Sequence, residues 1–143
     1  MAPPLRLVVV MTLPETRAEN TRLLLVEDEP VVLAALRKYF IREGFDVACA
    51  REFEEAQALL LTAHFALVIA DPRLSCSDSV EGLEILRFVR DHSRGTRVII
   101  VTAYAAPDMR RSARDLGADA FLQKPVPLPD IAAIVHRLTA VAS

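Results

Sequence analysis

The chain has 143 residues, 52% of them apolar and 25% charged, with a formal net charge of −2. That is one domain of common size, and its near-neutral balance supplies no global field for nucleic acid or an anionic membrane. No apolar stretch approaches the ~20 residues that a spanning helix needs, and Leu5–Leu13 lacks the small-x-small cleavage site of a signal peptide.

Residues 1–20 lie outside any regular pattern. Leu5–Met11 leaves open an added edge strand, pairing with another molecule, or a disordered extension, so the domain proper is expected over residues 21–143. Leu23–Val26 reads as a first strand and ends in Glu27-Asp28. Pro30 suits the first turn of a helix running to Glu43, with Val32, Leu33, Leu36, Phe40 and Ile41 inward and Gly44 as its stop. Phe45–Ala50 is a second strand, and Glu52–Ala63 a second helix with acids in its first turn, where the macrodipole favours them. Phe65–Ala70 is a third strand, ending in Asp71.

A polar loop, Asp71–Ser79, follows. Asp78 with Glu81 resembles a capping box that opens a helix ending near His92. Thr96–Val101 is a fourth strand, followed by Thr102-Ala103. Pro107 opens a fourth helix that Gly117 closes. Ala120–Gln123 is a short fifth strand, followed by Lys124-Pro125, and Pro129–Ala142 is the last helix. Five βα units with nearly obligatory right-handed crossovers predict an α/β fold, a five-stranded parallel doubly wound sheet.

In such sheets the groups at the carboxyl ends of the strands converge on one crevice. Glu27, Asp28 and Asp71 there would repel one another unless a cation shares the site. Hard oxygen ligands suit Mg²⁺, which takes one or two carboxylates and keeps waters or phosphate oxygens. A carboxylate beside that ion can attack phosphorus, and Lys124 and Thr102 supply a charge and a hydroxyl for the phosphoryl oxygens. Taken singly, each is an ordinary loop or turn residue; their joint placement at four strand ends makes the argument.

At these residues the chain resembles the receiver domain of two-component response regulators, a (βα)₅ flavodoxin-like fold, over residues 21–142. The resemblance implies Asp71 as phosphoacceptor, Asp28 and Asp71 as direct Mg²⁺ ligands, the Arg73 backbone carbonyl as a third ligand, and Glu27 acting through water. It implies Thr102 as the switch hydroxyl with Ala103 as its small neighbour, a Lys124-Pro125 bond that is commonly cis, and Phe121 as the rotating aromatic. Ser75 stands where the family usually has Pro, and Gly82-Leu83-Glu84 arrives about three residues late, so the loop Pro72–Val80 is longer than typical. Arg73 and Tyr104, each two positions after a site residue, would overhang the pocket and limit the access of water, or else stand as solvent-exposed loop residues without function.

The resemblance further implies a cytoplasmic phosphorelay protein that is not an enzyme. Its phosphoryl donor would be a histidine kinase or a histidine phosphotransfer protein. Its output would pass through the face of the fourth helix, fifth strand and last helix to a downstream protein or a second copy. Arg110, Arg111 and Arg114 give that face a basic stripe, too small for a nucleic-acid footprint. The chain stops after the last helix, which leads to the expectation of a stand-alone receiver, without nucleic acid or membrane as partner.

Three rivals stand beside this reading. An aspartate-nucleophile phosphatase of the haloacid dehalogenase type wants a second Asp where Arg73 stands. A nucleotide-binding Rossmann-like domain wants a glycine-rich first turn, and Glu27-Asp28-Glu29-Pro30 has no glycine. A phosphorylation-independent pseudo-receiver is the third, though all four chemical groups are intact. Cys49 and Cys76 lack the spacing of a zinc or redox pair and read as reduced thiols.

Overall fold

Apolar runs with no polar interruption are what strands buried on both faces require, and these runs pair side by side. In the computed structural model, which describes residues 21–71, 83–103 and 107–140, the strands are β1 (Arg22–Val26), β2 (Asp46–Ala50), β3 (Leu67–Ala70), β4 (Arg97–Thr102) and β5 (Ala120–Gln123). The helices are α1 (Pro30–Arg42), α2 (Phe53–Thr62), α3 (Glu84–His92), α4 (Pro107–Asp115) and α5 (Leu128–Thr139). All neighbouring strands are parallel, in the order β2-β1-β3-β4-β5. This is the doubly wound sheet that the βα alternation predicts, and its order reverses between β1 and β3.

The two-residue strand period divides the core into two layers. Leu24, Val26, Val68, Ala70, Val98 and Ile100 face Ala56 of α2, Leu86 and Val89 of α3, and Met109 and Ala113 of α4. Leu23, Leu25, Leu67, Ile69, Ile99 and Val101 face Leu36 and Phe40 of α1 and Ile131, Ala132 and Val135 of α5. So α1 and α5 cover one face, and α2, α3 and α4 the other.

Two helix stops follow from backbone chemistry. Gly44 and Gly117 hold φ of 99° and 96°, a left-handed conformation that costs other residues energy. β5 has the expected bounds, and those of the other strands differ from the expected ones by only one or two residues. Ala66 N–H already donates to Arg22 O at 2.9 Å, so the pairing of β1 with β3 begins ahead of Leu67.

Two expectations need correction, and three others fall outside the described residues. Ile41 points outward, 44% exposed, because it stands about 140° round the helix from Leu36, whereas Phe40 stands only about 40° away. Tyr39 and Phe45 take the space instead, each meeting Phe40 edge to face at centroid distances of 5.4 and 5.9 Å. The last helix ends at Thr139, with Ala140 already extended, rather than running to Ala142. The capping pair Asp78 and Glu81, the loop Pro72–Val80 and residues 1–20 lie outside the described residues.

At the amino ends of β4 and β5 a polar knot ties three elements together. Arg90 of α3 donates from Nη1 to Thr96 O at 2.8 Å, from Nε to Gly117 O at 3.2 Å and from Nη2 to Asp119 Oδ2 at 3.1 Å. Asp119 also accepts from Val98 N–H at 2.8 Å and from Arg97. The buried Thr96 hydroxyl donates to Phe65 O at 2.8 Å. A Cβ on Gly117 would meet Arg90 Nε at 3.1 Å, so both φ and space favour glycine there.

Candidate functional site

Each chemical group is held by the ladder that ends beside it. Glu27 N–H donates to Ala50 O at 3.0 Å, Asp71 N–H to Val26 O at 3.1 Å and Lys124 N–H to Thr102 O at 2.8 Å. These bonds carry the parallel register one residue past β1, β3 and β5, so the side chains issue from fixed backbone at one end of the sheet.

Lys124 joins the two buried acids. Its Nζ lies 3.0 Å from Asp71 Oδ2 and 3.3 Å from Glu27 Oε1. Glu27 Oε2 accepts from Glu29 N–H at 3.1 Å, which fixes that carboxylate at the entrance to α1. Burial raises the Glu27 pKa above the usual carboxylate value, and the hydrogen bond from Glu29 N–H and the Lys124 charge only partly offset it. Burial alone would lower the Lys124 pKa. The hydrogen bond and charge of Asp71, followed by those of Glu27, outweigh burial and hold the ammonium above its ordinary value.

The sign of that shift gives a pH prediction. A lysine whose pKa is raised by folding stabilises fully below its unfolded value of about 10.5, and the contribution is lost as pH rises through the folded value. In metal-free buffer with a chelator, the stability advantage of the wild-type chain over Lys124→Met is therefore expected to stay level through neutral pH. It should fall only in strongly alkaline solution, as read by urea denaturation across pH. An advantage already lost by about pH 9 would contradict the ion-paired lysine.

Thr102 ends β4 fully buried, in register with Gln123, the residue before Lys124. The Lys124-Pro125 peptide is cis. Asp28 is exposed at the end of β1, one residue beyond the buried Glu27. Phe121 is half-buried on β5, facing the α4 side of the sheet, and the Arg110 guanidinium lies over its ring, 4.7 Å from the centroid. Arg73 and Tyr104 lie outside the described residues.

Among the described residues, no three His, Cys, Asp or Glu side chains converge closely enough to hold a metal by themselves. The donors at the strand ends are carboxylates, without thiol or imidazole. That set fits Mg²⁺, a hard cation that needs one or two carboxylates and keeps its remaining positions for water and phosphate oxygens. Spacing alone gave no sign of two further features. One is the double pairing of Lys124. The other is an apolar groove of about 410 Å³ beside it, bounded by Val31, Val32 and Leu36 of α1 and by Pro125, Val126 and Leu128. No helix among the described residues is long and apolar enough to cross a membrane.

A doubly wound α/β sheet with a lysine-bridged acid pair at the carboxyl ends of β1, β3 and β5 defines the class of receiver-like signalling domains. Residues 23–136 match the response regulator receiver domain, and the chain belongs to that family. It is 38% identical over 117 residues to the transcriptional regulatory protein PmrA of Pectobacterium parmentieri, a match covering 82% of this chain and 51% of that protein. The chain spans about half or less of the length of the curated relatives it matches.

Among solved structures, a CheY-like response regulator receiver domain protein from Methanospirillum hungatei JF-1 is similar at a TM-score of 0.76 and 28% identity, covering 84% of this chain and 94% of that one. A response regulator from Burkholderia pseudomallei, described with a phosphorylated aspartic acid, a calcium ion and citrate, is similar at a TM-score of 0.72 and 26% identity. That likeness covers 79% of this chain and 65% of that one.

Proposed function

We propose that the chain accepts a phosphoryl group on Asp71 from a histidine kinase or histidine phosphotransfer protein, in a Mg²⁺-dependent reaction. It then signals to a separate protein through the face of α4, β5 and α5. The observation that carries the reading is the bridge Asp71–Lys124–Glu27 at three strand ends, with Thr102 ending the fourth. The setting is that of the donor kinase, the cytoplasm.

In the transfer, an Asp71 carboxylate oxygen bonds to phosphorus while the bond from phosphorus to the donor imidazole nitrogen breaks, and the imidazole leaves with that electron pair. Such a transfer needs positioning and charge neutralisation more than covalent help. The Lys124 ammonium is already beside the attacking carboxylate and neutralises one phosphoryl oxygen. The Thr102 hydroxyl donates to another once it has moved toward the phosphoryl group. Asp28 and Asp71 would hold Mg²⁺ directly, with Glu27 acting through water and the carbonyl at position 73 as a further ligand, and the ion would supply charge neutralisation for the remaining oxygens. Phe121 turns inward as Thr102 moves, and the exposed face over α4 and β5 changes shape.

The test is the mass of the intact protein after incubation with acetyl phosphate. A gain of one phosphate with Mg²⁺, absent with a chelator, is expected. Asp28→Ala should lose that gain at millimolar Mg²⁺, because one of the few direct carboxylate ligands is gone; undiminished labelling would contradict the metal assignment. No gain in the wild-type chain with any donor would favour the phosphorylation-independent interaction module.

A further inference from the structure

Phe121 projects from β5 toward α4, half-buried against the layer formed by α2, α3 and α4. Above it lies Arg110, its guanidinium carbon 4.7 Å from the ring centroid. The other two arginines of the α4 stripe point to acids on their own helix. Arg111 pairs with Asp108 at 3.2 Å and Arg114 approaches Asp115 at 3.9 Å. Among the described residues Arg110 makes no ion pair, and the ring is its partner. A cation within about 6 Å of an aromatic centroid is attracted by the ring's quadrupole.

We propose that Arg110 is a positioning residue for Phe121, holding the ring in its half-buried placement beneath the guanidinium and so setting how often the unphosphorylated domain visits the signalling arrangement. The inference rests on the reading of Phe121 as the moving aromatic. A contact made in one of two arrangements biases the equilibrium toward that one by the whole of its differential strength. On that reading, a turn that carried the ring away from the guanidinium would give up the contact, so the contact favours the placement seen here. A pair of this kind at an exposed site shifts an equilibrium by roughly two- to fivefold. Arg110 thus acts as a tuner rather than a lock: phosphorylation overrides it, and its loss raises the basal signal.

The experiment places fluorine on phenylalanine and follows Phe121 by ¹⁹F NMR, with its resonance assigned by Phe121→Leu. Spectra are recorded with and without acetyl phosphate and Mg²⁺. In Arg110→Gln the unphosphorylated protein is expected to show a two- to fivefold larger inward population and faster labelling by acetyl phosphate, with an unchanged phosphorylated endpoint. Arg110→Lys, which keeps the cation, should restore part of the resting bias. Equal inward populations in the wild-type chain and Arg110→Gln would overturn the proposal. A Phe121 resonance that ignores phosphorylation in the wild-type chain would instead overturn the underlying switch, and the two failures are told apart by that control. Arg110 is exposed, so its variants keep the fold, and unchanged urea midpoints verify it.

Discussion

Asp71→Asn is expected to abolish phosphorylation of the chain by acetyl phosphate and Mg²⁺, with the intact mass unchanged where the wild-type protein gains one phosphate. The amide is the same size as the carboxylate it replaces but offers no anionic oxygen to attack phosphorus. The fold should survive. Glu27 is raised in pKa partly by the Asp71 charge, so removing that charge relieves a repulsion even as it costs Lys124 the charge of its 3.0 Å partner. A variant that keeps its circular dichroism and loses its labelling isolates the chemistry from the scaffold. Labelling at the wild-type level would move the acceptor to another residue and remove the basis of the proposed function.

Phe40→Ala should be the most damaging substitution for stability. Phe40 is fully buried at the centre of the layer between α1, α5 and the sheet, with Tyr39 and Phe45 against its ring. Truncating such a side chain removes its transfer energy and leaves a cavity, at a cost of about 3–5 kcal/mol. Domains of this size are stable by only about 5–15 kcal/mol, so the variant is expected to sit near its unfolding threshold at 37 °C. Urea denaturation measures the difference. Ile41→Ser is the control: its neighbour in sequence faces solvent, and the expected change is within about 0.5 kcal/mol. A large loss at Ile41 with a small one at Phe40 would reverse the orientation of α1.

How far the fold was legible from residues follows from which signals are local. A strand buried on both faces announces itself by an unbroken run such as Leu23–Val26, and a left-handed helix stop by a glycine such as Gly44 or Gly117. Both depend on a few consecutive residues. Ile41 misled because apolarity was counted without its angle round the helix, about 140° from Leu36 where Phe40 stands about 40° away. The site was legible as a set of strand ends, since topology alone gathers Glu27, Asp71, Thr102 and Lys124. Its wiring was not. Whether Lys124 reaches one acid or two is a matter of ångströms that depends on the β4–β5 register, 97 residues away from Glu27 in the chain. The knot around Arg90 was silent for the same reason: its partners Thr96, Gly117 and Asp119 each look like ordinary turn residues until the fold sets them around one guanidinium.

That knot has a mechanical consequence. α4 is nine residues long, a rod of about 14 Å, and Arg90 grips the chain where the rod ends, at the Gly117 carbonyl. Were the rod to swing about that end, its first turn around Pro107 would sweep the widest arc and Asp115 would scarcely travel. Any partner that detects displacement would gain most by gripping the first turn of the rod, and one that needs a steady foothold would settle near the pinned end.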